Sequence, residues 1–319
     1  NDTGIAHILE HSVLCGSKNF PVKEPFVELM KGSLQTFLNA MTFPDKTMYP
    51  VASRNRKDFF NLMNVYLDAV FYPNISEETF KQEGWHYELN SPEDKIVYKG
   101  VVLNEMKGEF SSPESCIDRQ LAHSLFPSTP YGYESGGDPK CIPDLTYADF
   151  KDFHKKHYHP SNSRLFLYGD GDTQSYLEFL QEKYLQDFER MDVNTSIAHQ
   201  RSFRKPKRKT LTYPISSHES LEKKTYVLVG TKLDKAINHE HCLGFSILSH
   251  LLLGSSASPL RKALITSELG SEVIGGGFDD NRADTIFAVG LKGTEPEHEN
   301  KVLALIDSTL LDLAENGIE

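Results

Sequence analysis

The strongest constraint on the fold is that the chain writes one order of elements twice. Residues 4–71 read as a helix, a short helix opened by Pro25, two strands joined by a turn at Pro44-Asp45-Lys46, and a long amphipathic helix. Residues 241–314 repeat that order: helix 241–253, short helix 259–266 opened by Pro259, strands 272–277 and 285–291, and long helix 296–314. The period of the apolar residues carries these readings. In 57–71, Phe59, Phe60, Met63, Tyr66, Leu67 and Val70 recur at helical spacing until Pro73 stops the run. Pro25 and Pro259 suit a first helical turn, where a missing N–H has no intrahelical partner to lose. Two copies of such an order imply two related α+β units, each an α/β roll with helices packed on one face of a mainly antiparallel sheet. A strand at 225–230 precedes the second copy, so the first is expected to have one ahead of residue 1.

Between the copies, a helix opens at Ser76, with Glu77 and Glu78 in its acidic first turn, and is expected to run through Trp85. Helices follow at 101–110, 114–125, 147–157 and 173–185, with a Gly/Pro-rich loop at 131–143 and a strand at 164–168. The chain turns polar from 191 to 212, and its basic cluster at 201–209 reads as a solvated linker. The expected division is a first unit at 1–200, a linker at 201–212 and a second unit at 213–319. Both ends read as cut, so the chain is expected to be a fragment of a longer protein.

The stretch His7-Ile8-Leu9-Glu10-His11 lies in the first helix, 4–14, where Thr3 is the expected N-cap and Gly16 follows the end. On a helix, i, i+3 and i+4 share a face. Ile5, Ile8, Leu9 and Val13 can therefore turn to a core while His7, Glu10 and His11 face a cleft. Two imidazoles suit zinc, and a neighbouring carboxylate can take a proton from water. The order H-x-x-E-H is the inverted zincin signature. At the matching place in the second copy, 247–252 offers His250 and no Glu, so only the first can hold metal this way. A catalytic site needs a third ligand. Spacing does not choose among Glu105 and Glu109, one turn apart on a predicted helix, and Glu83 and Glu88, which flank Trp85.

Composition excludes other classes. The net charge of -11, from 34 basic and 45 acidic residues, argues against a nucleic-acid binder. Cys15, Cys116, Cys141 and Cys242 form no C-x-x-C pair, so neither a disulfide framework nor a Cys-zinc site is expected. No apolar run reaches the ~18 residues of a membrane span. His154 to His159 reads as a structural or surface cluster, His239-Glu240-His241 as a polar helix start, Gly275-Gly276-Gly277 as a turn, and Cys15 as a buried thiol.

The runs H-I-L-E-H-S-V-L-C-G-S from His7, K-E-P-F-V-E-L-M-K-G-S-L-Q-T-F-L-N-A from Lys23, Y-P-V-A-S, E-G-W-H-Y-E-L, G-V-V-L-N-E-M-K-G, S-G-G-D-P and H-Y-H-P-S-N occur in order, followed by A-S-P-L-R-K-A-L and V-G-L-K-G. Together they resemble the pitrilysin-type inverted-zincin peptidases, in particular the presequence protease and falcilysin branch. The resemblance implies a processing-peptidase-like metallohydrolase fold, truncated at both ends. It makes Glu105 the third zinc ligand beside His7 and His11, with one zinc in the first unit, and Glu10 the general base. It implies that a strand carrying Asn39-Ala40 receives an unfolded peptide by β-augmentation. Leu14, Phe26 and Met30 are expected on the S1' side. It further implies a missing C-terminal half closing a chamber, a monomer when full length, and work in a mitochondrial matrix or chloroplast stroma, or in the cytoplasm of a bacterium. A processing peptidase of the same superfamily and a non-catalytic structural member are the alternatives.

Overall fold

In the computed structural model, which describes residues 1–23 and 25–318, helix α1 spans Ile5–Val13. Its N-cap is Gly4 in the left-handed region, not Thr3, whose hydroxyl donates instead to Asn1 Oδ1 at 3.0 Å. Helix α2 (Pro25–Gly32) begins at its proline as expected. The expected hairpin forms as four short strands, β1 (Gln35–Leu38), β2 (Met41–Thr42), β3 (Thr47–Met48) and β4 (Val51–Ser53). β2 pairs with β3 and β1 with β4, both antiparallel. Asn39 and Ala40 sit in the break between β1 and β2 rather than inside a strand. The break has a cause on the facing side: Pro50 accepts from Asn39 N–H at 3.1 Å but has no N–H to return. Ala40 N–H turns back onto Asn39 Oδ1 at 3.0 Å.

Helix α3 (Arg56–Phe71) is capped by Asn55, which accepts from Asp58 N–H, and α4 (Glu77–Glu83) by Ser76, which accepts from Thr79 N–H. Gly84 ends α4, so Trp85 lies beyond the helix expected to contain it. An antiparallel hairpin follows, β5 (His86–Glu88) with β6 (Val97–Lys99). The sequence reading has no strand here, because both strands are only three residues long and β6 is exposed throughout, so no apolar alternation of useful length marks them. Then come α5 (Val101–Glu109), α6 (Pro113–Leu125), α7 (Tyr147–His157) and α8 (Thr173–Lys183). Residues 164–168, expected as a strand, form no ladder, and Phe166 and Tyr168 are 88% and 93% exposed. A β-prone run becomes a strand only where a neighbour supplies backbone partners.

Two units emerge: Asn1–Phe110 with Glu134–Ser196, and Ser111–Tyr133 with Ile197–Glu319. The core of the first joins Ile8, Leu9 and Val13 of α1 to Phe80 of α4, Val102, Leu103 and Met106 of α5, and Phe150 of α7. At roughly 1.5–3 kcal/mol per fully buried large apolar side chain, this core fixes three helices around α1. Ser111–Tyr133 falls with the second unit because Leu125, Phe126 and Tyr131 pack with Ile286.

The second unit holds β7 (Thr225–Lys235), α9 (His239–Leu253), α10 (Pro259–Thr266), β8 (Glu272–Asp279), β9 (Asp284–Thr294) and α11 (Glu299–Asn316). Its sheet is antiparallel in the order β7-β9-β8. From α9 to α11 the order helix, short helix, antiparallel hairpin, long helix matches that from α1 to α3, except that the first hairpin is divided into four short strands. Gly275 to Gly277 do not end β8. They form a bulge within it, between Ile274 and Gly277, and the strand continues to Asp279.

Candidate metal centre

Helix α1 buries Ile8, Leu9 and Val13, and this rotation sets His7, Glu10 and His11 on its other side. Helix α5, fixed by Val102, Leu103 and Met106 in the same core, brings Glu105 to them. Glu105 Oε2 lies 3.8 Å from His7 Nε2 and 3.7 Å from His11 Nε2. The three ligand atoms all fall within 4.8 Å of one another, and no other group of three His, Cys, Asp or Glu among the described residues does so. Two ligands held at about 2.0–2.1 Å by a tetrahedral ion stand roughly 3.3 Å apart, so small side-chain movements close the set on a metal. Two imidazoles and a carboxylate are a donor set of catalytic zinc sites.

The far nitrogens are also occupied. His7 Nδ1 is 3.1 Å from the Gly136 carbonyl and His11 Nδ1 is 3.2 Å from Glu83 Oε2. With Nδ1 donating in each ring, both Nε2 lone pairs face Glu105. Glu83 was one of the four acids that spacing left open; the fold places it behind His11 rather than among the three donors. It is buried, and also accepts from Gln82 Nε2 at 2.9 Å and from the Cys15 thiol. Burial works against its charge, but the bonds from His11 and Gln82 outweigh that and hold its carboxyl below the usual range. Burial likewise opposes charge on His11. The Glu83 bond and charge prevail, Glu10 and Glu105 add to them, and the imidazole is raised above its ordinary value. Glu88 is drawn away to Lys99 at 2.6 Å, and Glu109 is not part of the cluster.

Glu10 is only 6% exposed. Its charge reaches two tyrosines that the sequence reading did not single out. Tyr49 and Tyr158 share a hydroxyl hydrogen bond of 2.8 Å, and burial, with Glu10 adding, pushes Tyr158 up to about 12. Around this centre, β2 and β3 pack against α1. Asn39 is exposed and Ala40 half-buried at the β1–β2 break. Leu14, just past α1, packs on the core, the Phe26 ring is 6.4 Å from Tyr66, and Met30 is 48% exposed. The other histidine groups have local roles: His154 stacks on Tyr158, His157 packs at a tilt on Phe153, and His241 bonds Asp234.

Two family models match the chain: "Insulinase (Peptidase family M16)" over residues 1–109 and "Peptidase M16 inactive domain" over 144–319. "Protein HypA" of Clostridium perfringens is 52% identical over the whole chain, which spans 33% of that protein. "Presequence protease 1, chloroplastic/mitochondrial" of Arabidopsis thaliana is 51% identical over the whole chain and 30% of its own length. "Presequence protease, mitochondrial" of Xenopus tropicalis is 42% identical over the whole chain and 32% of its length. The chain thus spans about a third of the curated relatives it matches. Among solved structures, a "peptidase M16 inactive domain" from Pseudomonas fluorescens aligns with 99% of the chain and 71% of its own at TM-score 0.73 and 17% identity. Pitrilysin aligns with 99% of the chain and 32% of its own at TM-score 0.62 and 18% identity, which is likeness of fold. The "inactive" match includes α9, which lacks H-x-x-E-H, and the "Insulinase" match covers all of His7, Glu10, His11 and Glu105. The chain belongs to peptidase family M16, in the branch that contains the presequence proteases.

Proposed function

We propose that the full-length protein is a zinc endopeptidase that degrades short unstructured peptides, among them cleaved organellar targeting presequences. The observation that carries this reading is the convergence of His7 Nε2, His11 Nε2 and Glu105 Oε2 beside buried Glu10. His7, His11 and Glu105 would hold one zinc, which when bound supplies Lewis-acid polarisation and a more acidic water. Glu10 takes the proton of the attacking water and delivers it to the leaving amine. Asn39 and Ala40, beside β2, would receive an extended peptide once the Ala40 N–H leaves the Asn39 side chain, and Leu14, Phe26 and Met30 line the S1' side. The mitochondrial and chloroplastic presequence proteases among the relatives support work in a mitochondrial matrix or chloroplast stroma, and the similarity to a bacterial protein keeps a bacterial cytoplasm as the alternative. No helix among the described residues is long and apolar enough to cross a membrane.

Incubating the full-length protein with an unstructured basic peptide and with a folded domain of similar composition tests the reading. Cleavage of the peptide alone, abolished by a chelator and restored by zinc, is expected. Cleavage that persists after chelation would sink it.

Glu83 gives a second expectation. Replacing a carboxylate behind a metal-ligating histidine typically costs 10–100-fold, so Glu83→Gln should weaken zinc binding by about that factor. Competition with a coloured chelator measures it, and unchanged affinity would remove Glu83 from this role.

A further inference from the structure

Glu83 orients His11, but among the described residues no side chain bonds His7 Nδ1. Its Nδ1 meets a backbone carbonyl, that of Gly136, 129 residues away in sequence. We infer that residues 134–138 are a backbone clamp that positions His7 for metal, built from glycines that let the loop and the start of α1 touch backbone to backbone. This rests on the metal-centre reading above.

The first support is steric. A methyl group at Gly4 would lie 2.8 Å from the Gly136 carbonyl oxygen, the atom that holds His7. One at Gly137 would lie 2.8 Å from Gly4 Cα, and Gly137 has a φ of +101°, which side chains disfavour. At Gly136 a methyl would meet the Met106 thioether at 2.7 Å. Met106 follows Glu105 on α5 and its flexible end can yield, whereas Gly4 meets backbone and Gly137 meets both the Gly4 backbone and the fully buried Ile142 side chain, at 2.8 Å each. The start of α1 and the loop therefore approach so closely only because Gly4 and Gly137 lack side chains.

The second support is a set of tethers. Asp2 Oδ1 accepts from Glu134 N–H and the Asp2 carbonyl from Asp138 N–H, both at 2.8 Å. Glu134 Oε1 accepts from Gly136 N–H at 3.0 Å. The segment leading into α1 and the loop carrying the acceptor are thus tied at both ends of the loop. A fixed carbonyl cannot donate, so it selects the His7 tautomer with the proton on Nδ1 and the lone pair on Nε2. These residues position a ligand; they touch neither metal nor substrate.

The test uses the full-length protein with zinc as the probe. Two variants are made, Gly137→Ala, which forces the loop from α1, and Asp2→Ala, which removes a tether while adding no bulk. Zinc affinity is read by chelator competition, beside the melting temperature of the metal-free protein. The clamp predicts zinc binding about 10–100-fold weaker in both, with the metal-free melting temperature of Asp2→Ala unchanged. Wild-type affinity in a folded Asp2→Ala protein would overturn the clamp and leave the metal centre standing. A wild type that binds no zinc would overturn the metal centre, and the clamp with it.

Discussion

Glu10→Gln in the full-length protein should retain its zinc and lose peptide turnover by about 10²–10⁴-fold, the usual contribution of a positioned general acid–base. The substitution keeps the shape of the side chain and removes its ability to take a proton. Glu10 is buried on α1 between the two histidines, so the amide fits without disturbing Ile8 or Leu9, which are both fully buried. It is not among the three atoms that face one another across the centre, so metal content should not change. The loss should fall on kcat with KM little altered, because the proton transfer belongs to the transition state and not to substrate binding. Measuring kcat, KM and zinc content on one preparation separates these effects. An undiminished Glu10→Gln enzyme would remove Glu10 from the chemistry.

Glu105→Ala should go further, removing metal and turnover together. The two imidazoles remain, each still held at Nδ1, but the carboxylate on which both Nε2 atoms converge is gone. The fall in zinc affinity should exceed the ~10–100-fold expected for the partner behind a ligand. The side chain is 54% exposed, so truncation opens no cavity and should leave the fold intact. Zinc analysis after dialysis, with circular dichroism as the folding control, decides. One zinc per chain in Glu105→Ala would show that another acid, such as Glu109 or Glu83, completes the site.

The parts of this site that were legible in the sequence are those that a single helix carries. His7, Glu10 and His11 share a face because helical spacing puts them there, and Ile8, Leu9 and Val13 make the opposite face apolar. Pro259 opens α10 at its first residue for the same local reason. What spacing left open was set by packing. Glu83 and Glu105 sit on separate helices, and only the core around Phe80 and Met106 determines which one reaches the Nε2 side. The partner atoms of His11 and His7 lie 72 and 129 residues away, and one of them belongs to a glycine backbone that no motif of side chains advertises. Strands failed in both directions. The β5–β6 hairpin is pinned by Trp85, Tyr87 and Tyr98 ring contacts on an exposed surface, while 164–168 is β-prone without a ladder. Pro50 divided what read as two continuous strands.

X-ray absorption at the zinc edge of the full-length protein tests the central claim most directly. The expected first shell is two imidazole nitrogens at about 2.0–2.1 Å with carboxylate and water oxygens at about 2.0–2.2 Å, at one zinc per chain. Cys15, whose thiol lies against Glu83, supplies the obvious alternative ligand. A sulfur scatterer at about 2.3 Å, or a purified wild type without zinc, would contradict the site built from His7, His11 and Glu105.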